Sequence, residues 1–369
     1  MTADDSPPIN PSPRWRQVFG KALHGAFLAG IFCSVLLACG VAIAAWHPPA
    51  DVPEVREKLA WFSAHADDYD TLFFGTSRIY REVMPAVFDQ ATAEAGEPAH
   101  AFNFGIDGMF PPEDGYVFDV LRARHPTRLR WVFVELSMFT TGFVDRDPDS
   151  IRAAYWHDWK RTKLITHAAL SHRGKPVRWR KLIFGSADDG QHLVEALMHT
   201  RLFGVRALNS GVGEVLRERL LPPVSSARSP AVLGPAFDGF VGMPHGIMND
   251  SQLADYQQRL EQSGERAAHP RELSPDAQSN LDDILTGIRA LGAQPVLIDS
   301  PVPGGQRLVP RSPSDVLLLD FTDVRAWPDL FDPAHRADYG HLNKAGAEIY
   351  SRALARRFVE IARARQSFR

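Results

Sequence analysis

From about residue 70, short uninterrupted apolar runs alternate with stretches whose apolar positions recur every three or four residues. "DTLFFG" (70–75), "HAFNFG" (100–105) and "LRWVFVELS" (129–137) are of the first kind, and "QPVLIDSPV" (294–302) and "VLLLDFT" (316–322) repeat it near the C-terminus. Each predicts a buried strand. Between the second and third runs, "PEDGYVFDVLRARHP" sets Tyr116, Val117, Val120 and Leu121 at helical spacing and closes on a proline. "SPDAQSNLDDILTGIRALG" opens on an N-cap serine, Ser274, carries Leu281, Ile284, Leu285 and Ile288 on one face, and closes on Gly292. A last helix, "AGAEIYSRALARRFVEIARAR", turns Ile349, Leu354, Phe358 and Ile361 to the core. Strands alternating with helices at this spacing predict an α/β domain with a mostly parallel sheet covered by helices.

Residues 140 to about 270 break the rhythm. They contain "HRGKPVRWRK", "LPPVSSARSP" and "AFDGFVGMPHG", and read as an insertion of helices and long loops. The N-terminus is different again. After a polar, proline-rich start, residues 22–46 contain no Asp, Glu, Lys or Arg. As a helix, this segment would span roughly 37 Å, enough for a hydrocarbon core of about 30 Å. Arg14, Arg16 and Lys21 precede it, whereas acids and bases are mixed after it. The positive-inside bias therefore predicts a cytoplasmic tail (1–21), a transmembrane helix (22–46) and an extracytoplasmic, periplasmic domain (47–369). Two other readings stay open: signal-peptidase cleavage at "AIAA", and lipidation at Cys39 in "LLACG".

Composition narrows the chemistry. With 369 residues, 44% apolar and 23% charged, the chain is ordinary for a folded protein, and its formal net charge of -3 gives no reason to expect a nucleic acid partner. Both cysteines, Cys33 and Cys39, lie in the apolar segment. The large domain thus has no disulfide, thiolate nucleophile or cysteine metal site. Its histidines show no ligand spacing, so neither a metal nor a cofactor is expected.

Ligands of open α/β sheets gather at the carboxyl ends of the strands. Ser77 follows the first strand, Gly105 and Gly108 the second, and Glu135 with Ser137 the third; Asp338 and His341 precede the last helix. A serine hydroxyl becomes a nucleophile when an imidazole takes its proton, and the imidazole needs a carboxylate to fix its tautomer. The expected assignment is Ser77 as nucleophile, His341 as base and Asp338 as orienting acid, with Asp332 as a rival carboxylate. Backbone N–H groups of Ser77 and Gly105 are the expected oxyanion donors.

"GTSR", "FNFGIDGM" and "DYGHLN" resemble blocks I, II and V of the SGNH (GDSL-like) hydrolases, and residues 70–140 and 275–360 carry the likeness. More closely, the pattern resembles membrane-tethered bacterial members similar to the alginate O-acetylation and teichoic-acid D-alanylation proteins. The resemblance implies a three-layer, flavodoxin-like α/β/α domain and ester hydrolysis or acyl transfer, often on cell-surface glycans. It places the nucleophile at Ser77, the block II oxyanion glycine at Gly105 and the acid–histidine pair at Asp338 and His341. Block I has Thr76 where many members have aspartate. Block III offers no asparagine after the third strand, which leaves Ser137, or a group from the insertion, as the replacement donor.

Two further signals stay double. Arg78 either grips a substrate carboxylate or pairs with a neighbouring acid. The basic run 172–181, around Trp179, suits an acidic glycan or anionic lipid, or else a solvated face. The expected function is a membrane-anchored serine esterase or O-acyltransferase, with a multispanning acyltransferase as a possible partner. The alternative is a non-catalytic, glycan-binding scaffold subunit of a polysaccharide-modification complex.

Overall fold

A computed structural model describes residues 13–46, 52–141, 151–170, 187–208, 230–244, 248–311 and 316–366, together with 216, 220 and 246. The basic run 172–181 and most of "LPPVSSARSP" lie outside the described residues. The chain divides into two compact units, one of residues 1–49 and 204–223 and the other of 50–203 and 224–369. In the first, helix α1 (Pro13–Trp46) contains the stretch Gly20–Ile43, 24 residues of mean hydropathy 2.5. By length and composition it is able to cross a membrane, and a signal sequence meets the same description.

The second unit is α/β. Five strands, β1 (Thr71–Gly75), β2 (Ala101–Gly105), β3 (Trp131–Glu135), β5 (Gln294–Asp299) and β7 (Leu317–Asp320), form one sheet in the order β2-β1-β3-β5-β7. Every pairing is parallel, with Gly75 beside Gly105 and Phe73 beside Phe133. Two residues each from β4 (Arg271–Glu272) and β6 (Leu308–Val309) make a separate pair. The chain steps from β1 to β2 on one side and then crosses to β3 on the other, so the carboxyl ends of β1 and β3 flank a topological switch point.

Both faces of the sheet are buried, which is why its strands read as continuous apolar runs. Leu72, Phe74, Val132, Val134 and Leu297 pack with α2 (Pro53–Ala64), α5 (Glu113–Arg122) and α11 (Pro275–Ala290). Phe73, Phe133, Val296 and Ile298 pack on the other face with α3 (Ser77–Glu82), α4 (Pro85–Glu94) and α12 (Lys344–Gln366). Phe73, Phe88, Phe133 and Phe358 pack there at ring-centroid separations of 4.7–6.1 Å. Helices α2 and α4 were not legible as periodic patterns. Their signal is proline at the first turn, where its missing N–H costs nothing. Between β3 and β4 the described residues contain α6 (Ile151–Tyr155), α7 (Trp159–Leu170), α8 (Ala187–Arg206), α9 (Pro230–Leu233) and α10 (Asp250–Ala268), and no strand of the main sheet.

The carboxyl end of β5 carries a buried acid. Asp299 is 1% exposed and accepts from the Leu308 N–H at 3.2 Å. Burial, reinforced by the charges of Asp320 and Glu135, pushes its pKa up to about 8. A carboxyl raised above its unfolded value favours folding fully below the unfolded pKa, and that contribution is lost as pH rises through the folded one. Asp299→Asn keeps an acceptor for Leu308 and cannot ionise. Thermal melts from pH 4.5 to 9 are expected to show the variant gaining on the parent as pH rises, with the gap levelling above pH 8. A gap independent of pH overturns this.

Candidate active site

β1 ends on Gly75 because no side chain fits there: a Cβ would lie 2.7 Å from the Glu135 carboxylate and 2.5 Å from Ile79. The chain then turns into α3. Thr76 is the N-cap, its hydroxyl accepting from the Arg78 N–H at 3.3 Å, and Ser77 is the first helical residue. A first-turn N–H has no partner within its helix, and that of Ser77 meets no acceptor among the described residues.

The Ser77 hydroxyl lies 2.9 Å from His341 Nε2, across 264 residues of chain. His341 Nδ1 lies 3.1 Å from each Asp338 carboxylate oxygen. Nδ1–H therefore donates to Asp338, leaving Nε2 to accept the serine proton. The loop is held by its own backbone. Asp338 Oδ1 accepts the N–H groups of Gly340 at 2.6 Å and His341 at 2.8 Å, and Arg336 bridges Leu342 across its base. Asn343 closes it, donating to the Ala334 and Arg336 carbonyls. Asp332, the rival acid, instead caps a short turn by accepting the Ala334 N–H at 2.8 Å.

The electrostatics match this arrangement. Burial alone would raise Asp338, but the hydrogen bond and charge of His341 and two backbone donors hold it below the usual carboxylate value. Burial alone would lower His341, and its bond to Asp338 with the charges of Glu82 and Asp338 outweighs that and raises it. The imidazole is a stronger base than in solution, as proton abstraction from serine requires.

The other expected site residues have different duties. Glu135, fully buried, accepts from the Thr76 N–H and hydroxyl at 2.8 Å each, from Arg78 Nη1 at 2.9 Å and from the Ser137 hydroxyl at 2.5 Å. Arg78 and Ser137 are thus turned to a neighbouring acid, and the Ser137 proton is committed to Glu135 rather than to an oxyanion. Gly105 also departs from expectation. Its N–H donates to Asn103 Oδ1 at 2.9 Å, and a Cβ there would lie 2.2 Å from the Tyr80 backbone nitrogen. It is a glycine so that α3 can rest on β2. At the same strand end Gly108 has a φ of +64°, and its N–H has no acceptor among the described residues.

Two buried side chains support this turn. Asn103 also donates to the Ile79 and Val83 carbonyls, satisfying the end of α3. The fully buried Lys58 donates to the carbonyls of Asn103, Gly105 and Gly239 at 3.1, 2.7 and 2.7 Å and lies 3.6 Å from the Tyr80 ring centre. Nothing in the local sequence of α2 marks a lysine that points inward. No cluster of three or more metal-ligating side chains occurs among the described residues. No protein-family model, curated protein or solved structure matches this chain.

Proposed function

We propose that the protein is a serine esterase or O-acyltransferase of the SGNH type, acting on an acyl ester of a cell-surface or exported glycan. The observation that carries the reading is the proton path from Ser77 Oγ to His341 Nε2, with Asp338 fixing the other ring nitrogen. Ser77 attacks the acyl carbonyl as His341 takes its proton, and the oxyanion forms beside the Ser77 N–H. Gly108 replaces Gly105 as the second backbone donor. His341 then returns the proton to the leaving alcohol, and water or a sugar hydroxyl releases the acyl-serine. On this reading α1 is a retained anchor with the domain on the extracytoplasmic side, and the helix-covered sheet is an SGNH-type α/β/α domain. A multispanning acyltransferase partner would suit the transfer form of the reaction.

One observation favours the non-catalytic alternative: the Ser137 hydroxyl, the expected replacement for the block III donor, is bound to Glu135. Labelling of the full-length protein in detergent with a fluorophosphonate probe, followed by peptide mapping, separates the two. Modification is expected at Ser77 and is expected to vanish in Ser77→Ala, with acyl-ester turnover down by at least about 10⁴-fold. Absence of labelling in the parent protein, or labelling that survives the substitution, overturns the catalytic reading.

A further inference from the structure

Helix α3 begins with Ser77 and ends with a second acid, Glu82, which the proton path above does not use. Glu82 is fully buried. Its Oε1 accepts the N–H of Leu342, the residue directly after His341, at 3.3 Å, and its Oε2 has no hydrogen-bond partner. Ser351 of α12 lies at the same spot, its hydroxyl donating to the Ala347 carbonyl at 2.7 Å and accepting the Met84 N–H at 2.8 Å, with the Glu82 carbonyl 3.4 Å away.

Leu342 pairs with Arg336 across the base of the loop that carries Asp338 and His341. Arg336 is also fully buried. It donates to the Pro301 carbonyl at 2.8 Å and the Tyr256 hydroxyl at 3.3 Å, while its Nη1 has no partner. The charged groups that act on Glu82 are Arg336 and His341 from the loop and Arg78 from its own helix; Tyr350 of α12 lies within its field. A buried carboxylate with an unpartnered oxygen is costly for a fold. A glutamine would serve the Leu342 N–H as well, so the hydrogen bond alone does not account for an acid here.

We propose that Glu82 is a positioning residue of the catalytic histidine, holding the His341 loop from beneath and adding a second negative charge to the one Asp338 supplies. Ser77 and the group that tunes its base then sit on one helix, at its two ends. Burial pushes Glu82 up to about 7, against the pull of Arg336, His341 and Arg78. Its ionisation is thus brought toward neutral pH, and its negative charge is among the causes that raise His341. At neutral pH the basicity of His341 depends on whether Glu82 carries its proton.

The inference rests on the proposed serine chemistry for its kinetic form, and the test has an arm that does not. Glu82→Gln keeps volume and an acceptor for Leu342 but removes the charge; Glu82→Asp keeps the charge. Measured on the full-length protein with a soluble aryl ester, the acid limb of kcat/KM in Glu82→Gln is expected to move to lower pH by about 0.5–1 unit. That in Glu82→Asp is expected to stay near the parent. Independently of turnover, NMR of 13C-labelled histidine is expected to show the His341 titration lowered by a similar amount in Glu82→Gln. An unchanged His341 titration in Glu82→Gln overturns the proposal. A shifted titration in a protein that the fluorophosphonate probe does not label at Ser77 upholds the action of Glu82 on His341 and instead overturns the catalytic reading.

Discussion

His341→Ala is expected to lower acyl-ester turnover by about 10⁴–10⁶-fold while leaving the protein folded. The imidazole is the only described group placed to accept the Ser77 proton, at 2.9 Å, and it remains partly exposed at the sheet edge, so its loss removes little packing. In a serine relay the members act as a unit, and loss of the base costs nearly as much as loss of the nucleophile. Asp338→Asn should be less severe but still large, about 10⁴-fold, because an amide can offer Nδ1 a donor and stabilise the wrong tautomer. The measurement is turnover of a soluble ester beside a thermal melt for each variant. A His341→Ala protein that keeps more than about a tenth of the parent activity would mean that Ser77 is not activated by this histidine.

Glu135→Ala is expected to be the most damaging single substitution for the architecture of the site. The carboxylate is fully buried and collects four donors from Thr76, Arg78 and Ser137. Its removal leaves the Arg78 guanidinium, the Ser137 hydroxyl and the Thr76 donors without this acceptor, and opens a space behind Gly75. Breaking a buried ion pair by deleting one partner costs about 3–5 kcal/mol. The low end applies, because the Arg78 side chain is 23% exposed and water partly compensates it. A loss of about 3 kcal/mol corresponds to a fall in Tm of roughly 4–6 °C for a unit of this size. Glu135→Gln should fall between, since its amide oxygen still serves Thr76 but no longer neutralises Arg78. Melts with Tm unchanged to about 1 °C in Glu135→Ala would show that the Ser77 turn holds itself together without this acid.

Element order was legible because it is written locally. Continuous apolar runs mark the strands of a doubly covered sheet, and the runs at 70–75, 129–137 and 294–302 contain β1, β3 and β5. Ser274 does cap α11, accepting the Ala277 N–H at 3.2 Å. Helix α3 is six residues long, too short for a periodic face, and owes its existence to the Thr76 cap and to Asn103 at its far end. In the sequence Glu135 marks only the end of the third strand, and an ionised carboxylate there has no proton to offer an oxyanion. Its lack of a proton is what lets it gather four donors.

Composition and local order, then, determined by themselves the α/β class, the apolar N-terminal helix and the candidate serine, histidine and aspartate. Those features depend on near neighbours along the chain: period, caps, and the absence of charge over a long run. Which backbone N–H is free, whether Arg78 and Ser137 face substrate or an acid, and where Lys58 and Glu82 point were decided by tertiary structure alone. Each depends on segments distant in sequence: β3 beside β1, α2 against β2, or the His341 loop docked on α3. A polar side chain buried at such a junction takes whichever partner the opposing segment presents, and no spacing within its own segment encodes that partner.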